Sequence, residues 1–310
     1  MTLTELKYIV AVAREKHFGR AAEACFVSQP TLSVAIKKLE DELDMKIFER
    51  GASEVSTTPL GAQIVRQAQQ VIEQAAAIKE IAKLGKDPIS GALKLGVIYT
   101  IGPYLLPDLV KQAIERVPQM PLMLQENFTA RLLEMLRTGK LDCAIMAEPF
   151  PDTGLAVAPL YDEPFMAAVP TGHALAKRKH VSAEELKQET LLLLGTGHCF
   201  RDHVLEVCPE YARFASPSTQ GSEGIRKSFE GSSLETIKYM VASGMGVTVV
   251  PQLSVPAERQ AHIRYVKFSP PAPTRRVVLA WRRTFPRYEA IAALRNCIYA
   301  CPLPGVKRLS

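Results

Sequence analysis

From Leu60 to Ala82 the side chains of Leu60, Ile64, Ala68, Val71, Ala75, Ile78 and Ala82 recur at steps of 4, 4, 3, 4, 3 and 4 residues. A heptad-like seam of that length predicts a single helix of about 35–40 Å, which separates whatever precedes it from whatever follows. A helix this long with no domain beneath it should pair with a copy of itself; packing against its own chain is the alternative. The segment "KLGKDPISG" (83–91) then breaks the helix and reads as a hinge. In 310 residues, two or three domains are expected.

Upstream the pattern is helical. Leu6, Ile9, Val10 and Ala13 share a face, "FGRAAEAC" reads as a short helix of small residues, and "FVSQ" as a tight turn. Ser28 is a good N-cap, and Pro30 falls in a first turn, where a missing N–H costs little. The helix that follows runs to about Leu43, with Leu32, Ala35, Ile36, Leu39 and Leu43 inward. Its other face presents Pro30, Ser33, Val34 and Lys37, with Gln29, Thr31 and Lys38 near the edges. A small-polar and cationic helix face after a tight turn fits a DNA major groove. Gln can read adenine, Ser and Thr can take base edges or phosphates, and Lys37 and Lys38 can hold phosphates. Periodicity alone would equally suit a helical hairpin with a solvated face.

The next segment separates the two readings. "IFERGASEVSTTPLG" reads as a strand, a Gly-Ala-Ser turn, a second strand, then Thr58 as N-cap and Pro59 at the first helical position. That is a wing on a helix-turn-helix, with Arg50 placed to reach the DNA backbone or minor groove. The stretch "FGRAAEACFVSQPTLSVAIKKLEDELDMKIFER", followed by "TTPLG", resembles the signature of the LysR-type transcriptional regulators over more than 40 consecutive residues.

Charge does not locate this head. The chain carries +6 overall, yet residues 1–60 hold 8 Lys/Arg against 9 Asp/Glu, while residues 255–310 hold 11 against 2. The DNA reading therefore rests on which faces the charges occupy, and the C-terminal surplus reads as a solvated basic surface. No stretch approaches the roughly 18 apolar residues of a membrane span, and the amphipathic first residues lack a signal peptide's apolar core. A cytoplasmic protein is expected, and with it six reduced cysteines, at 25, 143, 199, 208, 297 and 301. No CxxC or HExxH spacing points to a metal, and no cofactor is expected.

Downstream of the hinge, strand and helix alternate. "ALKLGVI", "PLMLQE" and "LDCAIMAE" read as strands, and the segments between them as helices. This implies a parallel sheet with ligands at the strands' C-terminal ends. Thr100 and Thr129 each follow a strand where a helix begins, so their hydroxyls should converge on that crevice; an N-cap role would explain either one alone. A second set ("EPFMAAVP", "TLLLLG", "SSLETIKYMVASG", "MGVTVVP") precedes the returning strand "RRVVLAW" and a last helix, "RYEAIAALRNCIYAC". A chain leaving one lobe near residue 162 and returning near 268 makes two lobes around a cleft. This is similar to the effector domain of the same regulators, built like a periplasmic solute-binding protein.

"GTGHCFRDHVLEVC" (195–208) concentrates chemistry. Two glycines free the backbone, then a helix should run until Pro209 stops it. Cys199 falls at the helix N-terminus, where the dipole and free N–H groups favour a thiolate, with His198, Arg201 and His203 as possible positive partners. Only the thiolate attacks peroxide efficiently, giving a sulfenic acid that a second thiol can condense with. Nine residues of α-helix separate Cys199 and Cys208 by roughly 13 Å, while a disulfide spans at most about 7 Å. Joining them must unwind the segment. Cys25, Cys143, Cys297 and Cys301 lie on apolar helix faces or in a strand and read as packing residues.

"GHCFRD", Cys208, Thr100 after "GVIY", "ENFT" ending at Thr129, and the Arg275–Arg276 pair together resemble the peroxide-sensing branch of the LysR-type family. The resemblance implies Cys199 as the peroxidatic thiol and Cys208 as the resolving one. It places Thr100, Thr129 and His198 around peroxide, with Asp202 and Arg276 organising the pocket. Its implied partners are promoter DNA, hydrogen peroxide and RNA polymerase, for an activator assembled as a homotetramer, a dimer of dimers. The residues after Cys208 ("PEYARFASPSTQGSEGIRKSFEG") offer no histidine matching that branch. The expected organisation is a winged helix-turn-helix at 1–58, a dimerising helix at 59–84 and a hinge at 85–91. Lobe I takes 92–161 and 268–310, and lobe II, with the redox segment, takes 162–267. Two other functions compete: a regulator whose cleft holds a metabolite inducer, with structural cysteines, and a thiol peroxidase built on His198–Cys199.

Overall fold

The computed structural model describes residues 1–50, 55–83, 89–151, 154–209, 228–231, 233–258 and 260–309. The chain divides into two compact units, Met1–Lys86 and Asp87–Ser310. The Gly-Ala-Ser turn of the wing, most of the hinge segment and the stretch 210–227 lie outside the described residues.

The N-terminal unit comprises α1 (Leu3–Glu15), α2 (Phe18–Ala24), α3 (Gln29–Glu42), the antiparallel wing strands β1 (Phe48–Arg50) and β2 (Val55–Thr57), and α4 (Pro59–Lys83). Thr2 and Glu5 close a capping box on α1. The Ser28 hydroxyl caps α3 by accepting from Thr31 N at 3.3 Å, with Pro30 in the first turn. Leu6, Ile9, Val12, Ala21, Ala22, Leu32, Ile36 and Leu39 form the core between the helices. Each large aliphatic side chain here contributes about 1.5–3 kcal/mol by leaving water. Leu43, expected inward, is exposed, because α3 ends at Glu42 and Leu43 is only its C-cap.

Two polar ties fix the wing. The Glu40 carboxylate accepts from Ile47 N at 2.8 Å, Phe48 N at 3.2 Å and Lys46 Nζ at 3.1 Å. Thr58 Oγ1 donates to Lys46 O at 2.9 Å and accepts from Gly61 N at 2.8 Å, so one hydroxyl caps α4 and holds the strand entry. A Cβ at Gly61 would stand 2.2 Å from Ile47 O, so only glycine lets α4 approach this closely.

The seam of α4 does not act as one face. Ala68 is buried in the core of its own unit, with Ile64 and Ile72 packed beside it, whereas Leu60, Val71 and Ile78 are exposed. The 3.6-residue period brings these three exposed positions back onto one line of the helix.

The C-terminal unit opens with β3 (Leu93–Ile98), α5 (Gly102–Arg116), β4 (Leu122–Asn127), α6 (Thr129–Arg137) and β5 (Cys143–Glu148). β4, β3 and β5 lie side by side and parallel. Next comes the long strand β6 (Leu155–Pro170). After it follow β7 (His180–Val181), α7 (Ala183–Leu186), β8 (Leu191–Leu194), α8 (Cys199–Val207), β9 (Ser228–Gly231), α9 (Leu234–Ala242), β10 (Thr248–Pro251), β11 (Ile263–Phe268), β12 (Thr274–Arg282), α10 (Tyr288–Ala300) and β13 (Lys307–Arg308). The first half of β6 pairs with β12, which in turn pairs with β5; its second half pairs with β10 and β11. Two apolar cores result. One gathers β3, β5, α5, α6 and α10; the other gathers β8, β10, β11, α8 and α9. The cores meet along β6 and the β11–β12 connection. The fold class expected from the sequence is therefore present: a winged helix-turn-helix, a long helix and a two-lobed α/β unit. Among the described residues no helix is long and apolar enough to cross a membrane, and no cluster of metal-ligating side chains occurs.

Burial alone would raise the Glu40 pKa, but its bonds to Lys46, Ile47 and Phe48 outweigh it and hold the carboxyl below the ordinary glutamate value of 4.5. The stabilisation is thus complete above that value and is lost as pH falls through the lower, folded one. Glu40→Ala should destabilise the N-terminal unit by about 2 kcal/mol at pH 7. It should also flatten the loss of stability on acidification, both read by denaturant unfolding at pH 7 and pH 4.

Candidate functional site

The C-terminal ends of β3 and β4 face the N-terminus of α8 across a small cavity. Its wall is formed by Ile98, Tyr99 and Thr100 after β3, Asn127, Phe128 and Thr129 after β4, and Gly197, His198 and Cys199 at the start of α8. The space open to the centre of a water-sized molecule is ≈ 10 Å³, about what one water needs. The first residues of α6 and α8, Thr129 and Cys199, lie in this wall, so two helix N-termini with their free N–H groups and positive dipole ends face it.

Aromatic rings cover the cavity. Phe128 stands edge-on to His198 at 4.8 Å and to Tyr99 at 5.2 Å, and Tyr99 lies 5.8 Å from His198. Gly197 has φ 96, and a Cβ there would meet Phe128 Cδ1 at 3.3 Å. Glycine is needed for the backbone turn and for the ring to close down.

Thr100 and Thr129 line the cavity, and neither caps a helix. The N-caps of α5 and α6 are Ile101 and Phe128, without side-chain bonds. The simple capping explanation for each threonine is therefore replaced. Thr100 is buried, and its Oγ1 accepts from Arg275 Nη1 at 2.8 Å while its carbonyl accepts from Nη2 at 3.0 Å. An oxygen already accepting a guanidinium N–H keeps its own hydrogen for another acceptor. Thr129 Oγ1 is buried and has no hydrogen-bond partner.

Arg275, not Arg276, reaches this site. Arg275 is buried against the equally buried Glu163, with Nε at 2.9 Å and Nη2 at 2.8 Å from Oε2, and Glu163 Oε1 accepts Leu253 N at 2.8 Å. Arg276, expected to organise the pocket, points to solvent and holds Asp162 through bonds of 2.8 and 3.1 Å. The reason is strand parity: Val277 faces the core, so Arg275 shares its side of β12 and Arg276 takes the other.

The redox segment is helical. Cys199 is the first residue of α8 and Cys208 its C-cap, with Cys208 N donating to Val204 O at 2.9 Å. Both are free thiols. Cys199 packs against the core of the β3–β5 lobe, whereas Cys208 is fully buried in the other core. The suggested positive partners of Cys199 have other roles. Arg201 is buried and donates to Leu194 O at 3.0 Å. His203 is buried one turn on, with Nε2 2.7 Å from Glu148 O; burial lowers its pKa from 6.5, leaving it neutral at pH 7. His198 lies in the cavity wall. Asp202 is exposed in the first turn of α8, where a carboxylate suits the dipole. Among the other thiols, burial pushes Cys25, Cys143, Cys297 and Cys301 up, which keeps them as inert packing groups.

On α3, Ser28, Gln29, Pro30, Thr31, Lys37 and Lys38 are exposed and Ser33 is half-buried. Val34, also on this face, is 67% exposed. The backbone of Arg50 closes the wing against Val55, while its side chain lies outside the described residues. Sequence reasoning marked the Arg275–Arg276 pair but gave the pocket role to the wrong member, and it missed Tyr99 and Phe128. The alternation of β12 could have indicated the arginine; nothing in the linear pattern distinguishes the two rings.

A winged helix-turn-helix joined through a long helix to a two-lobed α/β unit defines a DNA-binding transcriptional regulator with an effector domain. Residues 3–62 match the family described as bacterial regulatory helix-turn-helix protein, lysR family, and residues 86–300 match the LysR substrate binding domain; the chain belongs to the LysR family. It is 39% identical over 296 residues to a hydrogen peroxide-inducible genes activator of Pectobacterium carotovorum, covering 94% of this chain and 95% of that one. Full-length OxyR from Pseudomonas aeruginosa, a cysteine-to-aspartate variant, superposes with a TM-score of 0.74 at 50% identity, covering 97% of this chain and 95% of the other. A hydrogen peroxide-bound cysteine-to-serine mutant of Corynebacterium glutamicum OxyR gives 0.62 at 31% identity, covering 96% and 91%.

Removing one member of a buried ion pair strands the other charge. Arg275→Gln should therefore cost about 3–5 kcal/mol in the C-terminal unit, whereas Arg276→Gln should leave its unfolding midpoint unchanged. Chemical denaturation of the two variants side by side checks both.

Proposed function

We infer that the chain is a peroxide-sensing, redox-regulated activator of transcription, reading DNA with α3 and switched through Cys199 and Cys208. It is a regulator and not an enzyme, as its family is. The observation that carries this reading is the placement of Cys199 at a helix N-terminus, inside a cavity bearing two threonine hydroxyls, with a second thiol at the far end of the same helix.

The chemistry follows from those groups. The Cys199 thiolate attacks one peroxide oxygen, the O–O bond breaks, and the departing hydroxide takes up a proton to leave as water. Sulfur is left as a sulfenic acid. Charge develops on the leaving oxygen, and donors fixed beforehand stabilise it most. Thr100, whose oxygen is occupied by Arg275, offers its hydrogen; Thr129 offers a second hydroxyl, and His198 lines the same wall. The Cys208 thiol then displaces water from the sulfenic sulfur and forms the disulfide. Since α8 holds the two residues roughly 13 Å apart, this step selects an unwound form of the segment. The cavity at Cys199, near the size of one water, suits peroxide and is too small for a metabolite inducer; a larger cleft of ≈ 480 Å³ beside Phe165, His203 and Phe268 has room for one but is lined by neither Cys199 nor Cys208.

We assign residues 1–58 to the reading head, 59–84 to the dimerising helix, 85–91 to the hinge, 92–161 with 268–310 to one lobe and 162–267 to the other. Gln29, Thr31 and Ser33 would meet base edges, Ser28 and Pro30 set the helix start, and Lys37, Lys38 and Arg50 would hold phosphates. The exposed line Leu60, Val71 and Ile78 on α4 supports pairing with a second copy. The assembly is a dimer of dimers acting in the cytoplasm on promoter DNA with RNA polymerase.

Footprinting of reduced and peroxide-treated protein on its promoter tests the reading, with Cys199→Ser alongside. The wild-type footprint should shift on oxidation and that of Cys199→Ser should not. A wild-type footprint indifferent to peroxide would remove the switch and leave the reading head.

A further inference from the structure

α8 is the element that must give up its helix, so what fastens it decides how readily it does so. His203 sits in the middle of α8, half-way between the two thiols, and is buried. Its Nε2 lies 2.7 Å from the carbonyl oxygen of Glu148, the last residue of β5. That carbonyl belongs to the lobe opposite the core into which Phe200, Val204 and Cys208 of α8 pack. A backbone carbonyl can only accept, so Nε2 carries the hydrogen and Nδ1 is a bare acceptor. Nδ1 is buried and has no partner. The ring is wedged against Phe165 and Phe200, at 6.2 and 6.4 Å between centroids.

We propose that His203 is a positioning residue for the switch: its hydrogen bond to Glu148 O pins the middle of α8 across the two lobes and sets the rate at which the sulfenic acid at Cys199 is resolved by Cys208. The proposal deepens the peroxide-switch reading and rests on it. Unwinding α8 must break the Nε2–H···O bond, which opposes the change. The tie acts one turn or more from the peroxide cavity, which His203 does not line. It therefore bears on the second step of the reaction and leaves the first alone.

Leucine at 203 fills similar space without a donor, whereas glutamine restores an N–H at comparable reach. Rapid-quench oxidation of the full chain separates the steps: trapping of the sulfenic acid with dimedone reports the first, and mass spectrometry of the Cys199–Cys208 link reports the second. In His203→Leu the rate of sulfenic acid formation should stay within about twofold of wild type. Disulfide closure should accelerate about tenfold, the equivalent of one net hydrogen bond. His203→Gln should restore the wild-type closure rate, which a loss of packing alone would not explain. Amide hydrogen exchange supplies a readout that needs no peroxide. With Cys199→Ser as background, His203→Leu should raise exchange at Val204 to Cys208 about tenfold, and His203→Gln should reverse it. Unchanged or slower closure in His203→Leu, an equal change in both steps, or failure of glutamine to rescue either readout overturns the proposal. If wild type forms no disulfide while the exchange pattern holds, the redox reading fails and the tie stands as a structural clamp.

Discussion

The buried contact between Arg275 and Glu163 organises everything around the cavity. Strands β12 and β6, which carry the two residues side by side, are also the strands through which the lobes are joined. Burying an ion pair is favourable only when every remaining donor and acceptor finds a partner. Here the surplus hydrogens of the guanidinium go to both oxygens of Thr100, and the second carboxylate oxygen goes to the Leu253 amide. Satisfying the pair thus orients the hydroxyl. Arg275 also lies over the Phe200 ring at 5.1 Å, so the same cation braces the residue that follows Cys199. One desolvated charge aims a donor at the cavity and steadies the helix bearing the thiol.

The two sulfurs are kept apart by more than helix geometry. Each belongs to a different apolar core, so closing the disulfide asks Cys208 to leave a fully buried site as well as asking α8 to unwind. A small apolar side chain leaving a core costs on the order of 1 kcal/mol, and the lost helical hydrogen bonds add to it. In the proposed switch these contacts favour the reduced form, and cleavage of the O–O bond would supply the drive that overturns it. Stability of the resting state and responsiveness to peroxide come from the same few contacts.

Much of this was legible in the chain because it is local. The caps at Ser28 and Thr58, the proline positions and the strand–helix alternation are set by neighbours a few residues apart, and they placed the reading head and both lobes. The cavity was legible only in part. Thr100, Thr129, His198 and Cys199 were marked by their positions at element ends. Choosing between Arg275 and Arg276 needed the parity of β12 carried back from its apolar residues, and the bulge between Val277 and Val278 blurs that count. The roles of Tyr99 and Phe128 depend on strands that are adjacent in space and distant in sequence. The seam on α4 misled in one respect: a heptad pattern records apolar positions but not which partner takes them. Ile64 and Ala68 are claimed by the chain's own core, leaving Leu60, Val71 and Ile78 outside.

In the proposed switch, oxidation at Cys199 and Cys208 reaches the rest of the effector unit only if it changes contacts shared between lobes. α8 supplies them. Phe200 and His203 lie on its inner side, one beneath Arg275 of β12 and the other bonded to the end of β5. Unwinding the helix removes both at once. Shifting a two-state element from 1:99 to 99:1 takes about 5.5 kcal/mol, more than one hydrogen bond or one cation–π contact can offer alone. Loss of a turn or more of helix, a buried thiol and two inter-lobe ties together is of that order. The proposed switch thus asks the whole of α8 to change, in keeping with thiols at its two ends and not within one turn of each other.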